Sequence, residues 1–80
     1  MCLDLDERKY DVAKFGRKFR AWRISQELTQ SEVAYQLQFA GLPCDRHRVA
    51  RIENGQTRMS IFEFEVLHVC FGLSYENIMD

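Results

Sequence analysis

Apolar residues repeat at helical spacing, and this pattern constrains the fold more than any other feature of the sequence. Val12, Phe15, Phe19 and Trp22 recur at intervals of three and four residues, which places them on one face of a helix. Only one Pro and four Gly occur in 80 residues, so long stretches of the chain are free to be helical. We therefore predict an all-α fold.

Capping residues divide the chain into five predicted helices. The segments Thr29–Glu32 and Ser60–Glu63 are capping boxes, in which the hydroxyl accepts from the fourth residue's amide and the carboxylate reaches back. They predict helices that begin at Gln30 and Ile61. The other boundary signals are Asp11 before the first helix, Gly41 and Pro43 after the second, Asp45 and Asn54-Gly55 around the third, Gly72 after the fourth, and Ser74 before a fifth helix from Tyr75 to Met79.

The predicted domain organisation is an arm followed by one small helical bundle. Residues 1–10 have little apolar periodicity, so we expect a flexible or loosely docked arm. Residues 11–80 form a bundle of non-parallel helices. Its inward positions beyond the first helix are Val33, Ala34, Leu37, Val49, Ile52, Ile61, Phe64, Leu67 and either Cys70 or Phe71, while Ile78 and Met79 either close the core or meet a partner.

The charges are distributed unevenly along the chain, although the formal net charge is only -1. All 11 basic residues lie between Arg8 and Arg58, where five acids occur, so this stretch carries +6. The remaining seven acids lie outside it. Such a basic middle can present a positive face to phosphate, although an ordinary solvated surface is the alternative.

The cysteine and apolar patterns bear on location and on metal binding. No apolar run approaches the roughly 18 residues that span a bilayer, and the N-terminus lacks signal-peptide regions, so we expect a cytoplasmic protein. Cys2, Cys44 and Cys70 are an odd number without CxxC spacing, which favours reduced thiols. Cys44 and His47 have metal-ligand spacing, but zinc needs four ligands and the other candidates are distant. We predict no metal and no cofactor.

Two motifs resemble those of a known family. Leu28-Thr29-Gln30 with Glu32-Val33-Ala34, followed by Arg51–Gly55, resembles the XRE family of Cro/C1-type helix-turn-helix transcriptional regulators. The similarity extends over residues 12–79. The connection between the second and third helices is longer than the usual three or four residues, as in a subset of the family. Residues 38–44 lengthen the second helix, the turn, or both.

The resemblance implies sequence-specific binding to double-stranded DNA, with helix 46–53 in the major groove of a palindromic operator. Arg46, His47 and Arg51 match base-reading positions, and an arginine can bind guanine O6 and N7 through its planar fork. Val49 and Ile52 match positions that face the core. The implied activity is transcriptional regulation, most simply repression.

The resemblance also implies phosphate contacts and a structural salt bridge. Gln30 is the leading phosphate-contacting residue. Arg48 either contacts phosphate or is solvated. Arg23 and Glu53 match a pair that joins the first helix to the end of the third, and we expect this pair to be buried. Further phosphate contacts are expected from Asn54, Gln56, Thr57 and Arg58 after the third helix. For Gln56–Arg58 an ordinary polar loop is the alternative.

Base stacking and catalysis find little support in the sequence. Five aromatic residues could form a stacking platform for single-stranded nucleic acid, namely Phe15, Phe19, Trp22, Phe64 and Phe71. Their helical spacing favours a place in the core. His68 is expected to be a partly buried structural histidine. Cys44 with His47 is the nearest approach to a nucleophile and base, without oxyanion donors, so we predict that the protein is not an enzyme. A redox role for a Cys44 thiolate is a further hypothesis.

Two functional hypotheses remain open from the sequence. The first is a homodimeric regulator whose subunits contact each other through Phe62, Tyr75, Ile78 and Met79. The second is a protein-interaction module or antitoxin-like partner protein that uses the same fold without binding DNA. Salt dependence of duplex binding separates them, because each neutralised phosphate adds about -0.9 to the slope of log affinity against log salt.

Overall fold

The computed structural model describes residues 11–78 and contains five α-helices in that range. They are α1 (Val12–Ser25), α2 (Gln30–Phe39), α3 (Arg46–Glu53), α4 (Ile61–Phe71) and α5 (Tyr75–Ile78). No strand occurs between residues 11 and 78, which confirms the predicted all-α fold. None of these helices is long and apolar enough to cross a bilayer. The predicted arm, residues 1–10, and Met79 lie outside the described residues.

The capping residues begin the helices where the sequence predicts. Thr29 Oγ1 accepts from the Glu32 amide at 3.0 Å, and Glu32 Oε1 accepts from the Thr29 amide at 2.7 Å. Ser60 and Glu63 form the same reciprocal pair at the start of α4. The remaining N-caps are Asp11 for α1 and Asp45 for α3. Each cap satisfies an amide that the first turn of a helix leaves without a partner.

The connection between α2 and α3 consists of residues 40–45. α2 ends at Phe39, and Gly41 adopts the left-handed conformation at φ 96° just beyond it. Gln38 Nε2 donates to the Cys44 carbonyl at 2.5 Å, so a side chain of α2 fixes the far end of the connection. Residues 38 and 39 therefore lengthen α2, and the residues after them form an ordered turn, so the long connection includes both.

The core lies where α1 packs against α3 and α5, and where α2 packs against α3 and α4. Phe15, Phe19 and Trp22 are buried, as their spacing predicts, and the Phe19 and Trp22 rings stack with centroids 6.0 Å apart. Phe64 and Phe71 are half-buried against the same core. The rest of the core consists of Val33, Ala34, Leu37, Cys44, Val49, Ile52, Leu67, Leu73 and Ile78.

The structure decides the placement of three side chains for which the sequence made predictions. Ile61 is predicted to face inward but is 69% exposed, because it lies two residues before the buried Glu63 and hence on the opposite side of α4. Ile78 is 3% exposed, so of its two predicted roles it has the one in the core and is not accessible to a partner subunit. The His68 ring is exposed, although its Nδ1 lies 2.7 Å from the Leu73 carbonyl and donates to it.

Two glycines allow α1 to approach the end of α3 very closely. A Cβ on Gly16 would lie 2.5 Å from the Glu53 carbonyl oxygen and would also clash with the Ile52 carbonyl. Gly55 has φ 77°, and a Cβ there would lie 2.8 Å from Cα of Ala13. Because of these contacts, α1 crosses the C-terminal end of α3 and packs directly against it. Nothing in the sequence pattern singled out Gly16, because its partner carbonyls lie far along the chain.

Candidate nucleic-acid interface

α3 has one buried face and one exposed face. Val49 and Ile52 are fully buried, while Arg46, His47 and Arg51 are exposed. The difference follows from the helical period, because Val49 and Ile52 are three residues apart and His47 and Arg51 are four residues apart. The structure therefore brings the three predicted base-reading side chains to the solvent side of one short helix.

Two of the α3 arginines point donors toward solvent. Among the described residues, the ion pairs involve Arg20, Arg23 and Arg48, and no carboxylate lies within ion-pair distance of Arg46 or Arg51. The N–H groups of these two guanidinium groups can therefore donate to a partner that presents paired acceptors, such as a carboxylate, a phosphate or a guanine edge.

Glu53 anchors the C-terminal end of α3 to α1 and α2. Its side chain is only 1% exposed, and Arg23 contacts it through Nε at 2.5 Å and through Nη2 at 3.2 Å. The third nitrogen of Arg23, Nη1, donates to the Leu28 carbonyl at 2.7 Å. The predicted pair of Arg23 and Glu53 is therefore a bidentate, buried contact in this structure, and it fixes the orientation of α3.

Gln30 is the first residue of α2 and is held beside the same carboxylate. Its Nε2 donates to Glu53 Oε1 at 3.0 Å, and the residue is half-buried. The contact with Glu53 restrains the amide side chain near the start of α2 and the end of α3. An amide in this position can still contact an anion with its remaining polar atoms, because the group has two hydrogens and an oxygen.

Arg48 makes contacts within the fold that the sequence did not predict. Its Nε donates to Glu63 Oε2 at 2.5 Å and its Nη2 donates to Glu63 Oε1 at 2.9 Å and to the Arg58 carbonyl at 3.1 Å. Arg48 thus joins α3 to the start of α4, and its side chain is only 23% exposed. The sequence could not show this, because Glu63 lies 15 residues further along the chain.

The Glu63 carboxyl group is ionised and well satisfied. Burial acts to raise its pKa, but hydrogen bonds from Arg48 and from the Ser60 amide, together with the Arg48 charge, outweigh that effect. The pKa of Glu63 therefore lies below its ordinary value. The carboxylate is at once part of the α4 capping box and the partner of Arg48.

The loop after α3 carries the remaining predicted phosphate contacts. Asn54, Gln56 and Arg58 are exposed and Thr57 is half-buried. The Gln56 amide donates to the Arg51 carbonyl at 2.8 Å, so the loop turns directly off the last turn of α3. The loop that carries these four side chains therefore begins at the C-terminal end of α3, and the Arg48 contact with the Arg58 carbonyl restrains its far end.

Cys44 does not have the properties of a reactive thiolate. It is buried, and burial, with the nearby Glu63 charge, raises the pKa of the Cys44 thiol to about 11. The thiol is therefore protonated at neutral pH, which contradicts the hypothesis of a Cys44 thiolate at the helix N-cap. Within residues 11–78, no three potential metal-ligand side chains come together.

The fold and this face of α3 define a class of protein. A short helix that is supported by the helix before it, and that exposes arginines on its outer side, is characteristic of DNA-binding helix-turn-helix domains. A family profile described as a helix-turn-helix domain matches residues 14–77, and the chain belongs to that family. Members of such families are typically not enzymes. Searches among curated proteins and among solved structures found no significant match.

Proposed function

We propose that this protein is a sequence-specific regulator of transcription, most simply a repressor of the XRE family and Cro/C1 type. The observation that carries the proposal is the exposed face of α3, where Arg46, His47 and Arg51 project while Val49 and Ile52 are buried beneath. In this proposal α3 enters the major groove of double-stranded DNA.

Base recognition would come from the two unpaired arginines and the imidazole. Arg46 and Arg51 can each present two parallel donors to guanine O6 and N7, and His47 can bond to a single base edge. The buried pair of Arg23 and Glu53 would hold the helix at a fixed angle. A rigid support of this kind is needed because base contacts depend on accurate placement of each donor.

Phosphate contacts would lie on both sides of α3. Gln30 lies at the start of α2, and Asn54, Gln56, Thr57 and Arg58 lie in the loop that follows α3. Such contacts fix the register of a protein on DNA without reading its sequence. We leave Arg48 out of this set, because its guanidinium group is already bound by Glu63.

The proposed assembly on DNA is a homodimer. A palindromic operator requires two reading helices about 34 Å apart, one helical turn of DNA. Phe62 is 65% exposed and Tyr75 is exposed as well, which supports a contact between subunits through α4 and α5. Ile78 is not part of this contact since it is buried, and Met79 lies outside the described residues.

A protein-interaction module is the second candidate, and one surface favours it. The rings of Tyr35 and Phe39 stack on the outer side of α2 with centroids 6.3 Å apart, and both are exposed. Beside them is an open groove of about 390 Å³ whose lining includes Leu28, Gln36 and Phe71. Exposed aromatic surface of this kind is common at protein interfaces.

Selection from a random duplex pool, followed by binding measurements over a salt series, tests the proposal. Arg51→Gln should weaken the selected duplex by about 1–3 kcal/mol and relax the preference at one base pair. Arg58→Gln removes the same charge and should weaken all duplexes about equally. If affinity of the parent protein for duplexes does not change with salt, the regulator proposal is wrong and the interaction module is favoured.

A further inference from the structure

Arg20 lies on α1 where that helix crosses the C-terminal end of α3. Gly16, one turn earlier on the same helix, is packed against the carbonyls of Ile52 and Glu53. Arg20 Nε is 3.9 Å from Glu53 Oε1. The same oxygen accepts the hydrogen bond from Gln30 Nε2 at 3.0 Å. The Arg20 guanidinium group therefore lies beside the Gln30 amide, although the two residues belong to different helices.

The charges around Glu53 do not cancel. Arg23 binds both carboxylate oxygens, and its side chain is only 10% exposed, so this pair is neutral and mostly buried. Arg20 adds a second positive charge, and its side chain is 61% exposed. The excess positive charge is therefore at the surface, next to Gln30, where it attracts an anion.

Arg20 can exchange partners at little cost, whereas Arg48 cannot. If Arg20 moves away, Glu53 keeps the bidentate contact with Arg23 and the hydrogen bond from Gln30. If Arg48 moved away, the buried Glu63 would lose its arginine partner. A carboxylate left without its counter-charge in a buried position is strongly unfavourable. The fold therefore needs Arg48 at Glu63, whereas Arg20 is available to bind an anion.

We infer that Arg20 is a further phosphate ligand of the DNA interface, binding with Gln30 the backbone that passes the junction of α1, α2 and α3. The inference rests on the proposed DNA-binding function. It assigns to α1 a direct contact with DNA in addition to its support of α3. Its physical basis is the exposed excess charge beside the Gln30 amide.

The test is a salt titration of Arg20→Gln, Arg20→Lys and the parent protein, with a selected duplex and a random-sequence duplex, both about 20 base pairs or two helical turns long. Lys14→Gln is the matched control. Lys14 lies two residues from Gly16 on the same helix and hence on the opposite side of it. Arg20→Gln should bind both duplexes about tenfold more weakly, and the salt slope should be smaller by about 0.9. Arg20→Lys should keep the parent slope, since it keeps the charge.

The outcomes separate this inference from the proposed function. If the parent shows a steep slope and Arg20→Gln keeps it, Arg20 is not a phosphate ligand, although DNA binding stands. If Lys14→Gln loses as much slope as Arg20→Gln, the effect is one of total charge and the inference is also wrong. If the parent binds neither duplex, both the proposed function and the inference fail. Thermal melts of Arg20→Gln near those of the parent are expected, because Glu53 retains its other partners.

Discussion

Glu53 is buried at the end of α3, and its two oxygens accept hydrogen bonds from Arg23 and Gln30. The contacts join α3 to α1 and to the start of α2. A buried carboxylate of this kind is tolerated because each oxygen has a donor and because a guanidinium group neutralises the charge. The residue therefore contributes to the orientation of α3 as well as to stability.

Glu53→Gln should lower the free energy of unfolding by about 3 kcal/mol, because the variant leaves the mostly buried charge of Arg23 without a counter-ion. Urea denaturation at neutral pH measures the change. Arg20→Gln is the control, since it removes only an exposed partner of Glu53 and should cost under about 1 kcal/mol. Unfolding of Glu53→Gln at the urea concentration of the parent would contradict the buried pair.

The joint between α3 and α4 depends on Glu63, which belongs to the capping box of α4 and binds Arg48 of α3. Arg48 also holds the Arg58 carbonyl, so the intervening loop is fixed at both ends. The Glu63 carboxylate thus caps α4 and connects it to α3. Through Arg48 it also restrains the loop that carries the proposed phosphate contacts. The arrangement explains why the Arg48 side chain binds within the protein although the residue lies on α3.

The acid sensitivity of the fold should depend on Glu63. Its folded pKa lies below the ordinary value of 4.5, so its ionised form stabilises the protein above that pH. The contribution is lost as the pH falls through the folded pKa. Glu63→Gln should be less stable than the parent at neutral pH, and its unfolding free energy should fall less as the pH drops below 4.5.

Urea denaturation at neutral pH and at several values below 4.5 measures this difference. Glu65→Gln is the matched control, because Glu65 lies exposed on the same helix. It should keep the neutral stability and the acid dependence of the parent. Equal acid dependence in Glu63→Gln and the parent would show that the joint does not depend on the ionised carboxylate.

The described part of the domain presents exposed aromatic residues on three helices. Phe62 and Tyr75 lie on α4 and α5, while Tyr35 and Phe39 lie on α2. An 80-residue chain buries a limited apolar area by itself, so a second subunit can add stability. Single substitutions in each set of residues can show which set forms the contact between subunits.

Phe62→Glu should convert the proposed homodimer to a monomer and weaken operator binding, because a charge would be placed in the subunit contact. Phe62 is exposed within one subunit, so the helical content of the variant should not change. Sedimentation equilibrium and duplex titration measure the two effects. Phe39→Glu, at a residue that is 78% exposed on α2, is the control and should remain dimeric. Dissociation of Phe39→Glu alone would place the contact on α2.

The local parts of this structure could be read from the sequence. The spacing of Phe15, Phe19 and Trp22 determines the buried side of α1, since a helix turns by a fixed angle at each residue. The Thr29 and Ser60 capping boxes form as predicted because their partners lie only three residues away. The exposure of Arg46, His47 and Arg51 follows from the same period once Val49 and Ile52 are buried.

Contacts between distant segments were decided by the packing of the helices. For Arg48 the sequence left phosphate contact and solvation open, and it did not predict the contact with Glu63, which forms because the fold brings the start of α4 beside α3. The place of Arg20 beside Gln30 and the need for Gly16 depend on the crossing of α1 and α3. Hydrophobic periodicity and capping act over one or two turns of chain, whereas these partners come together only when separate helices pack against each other.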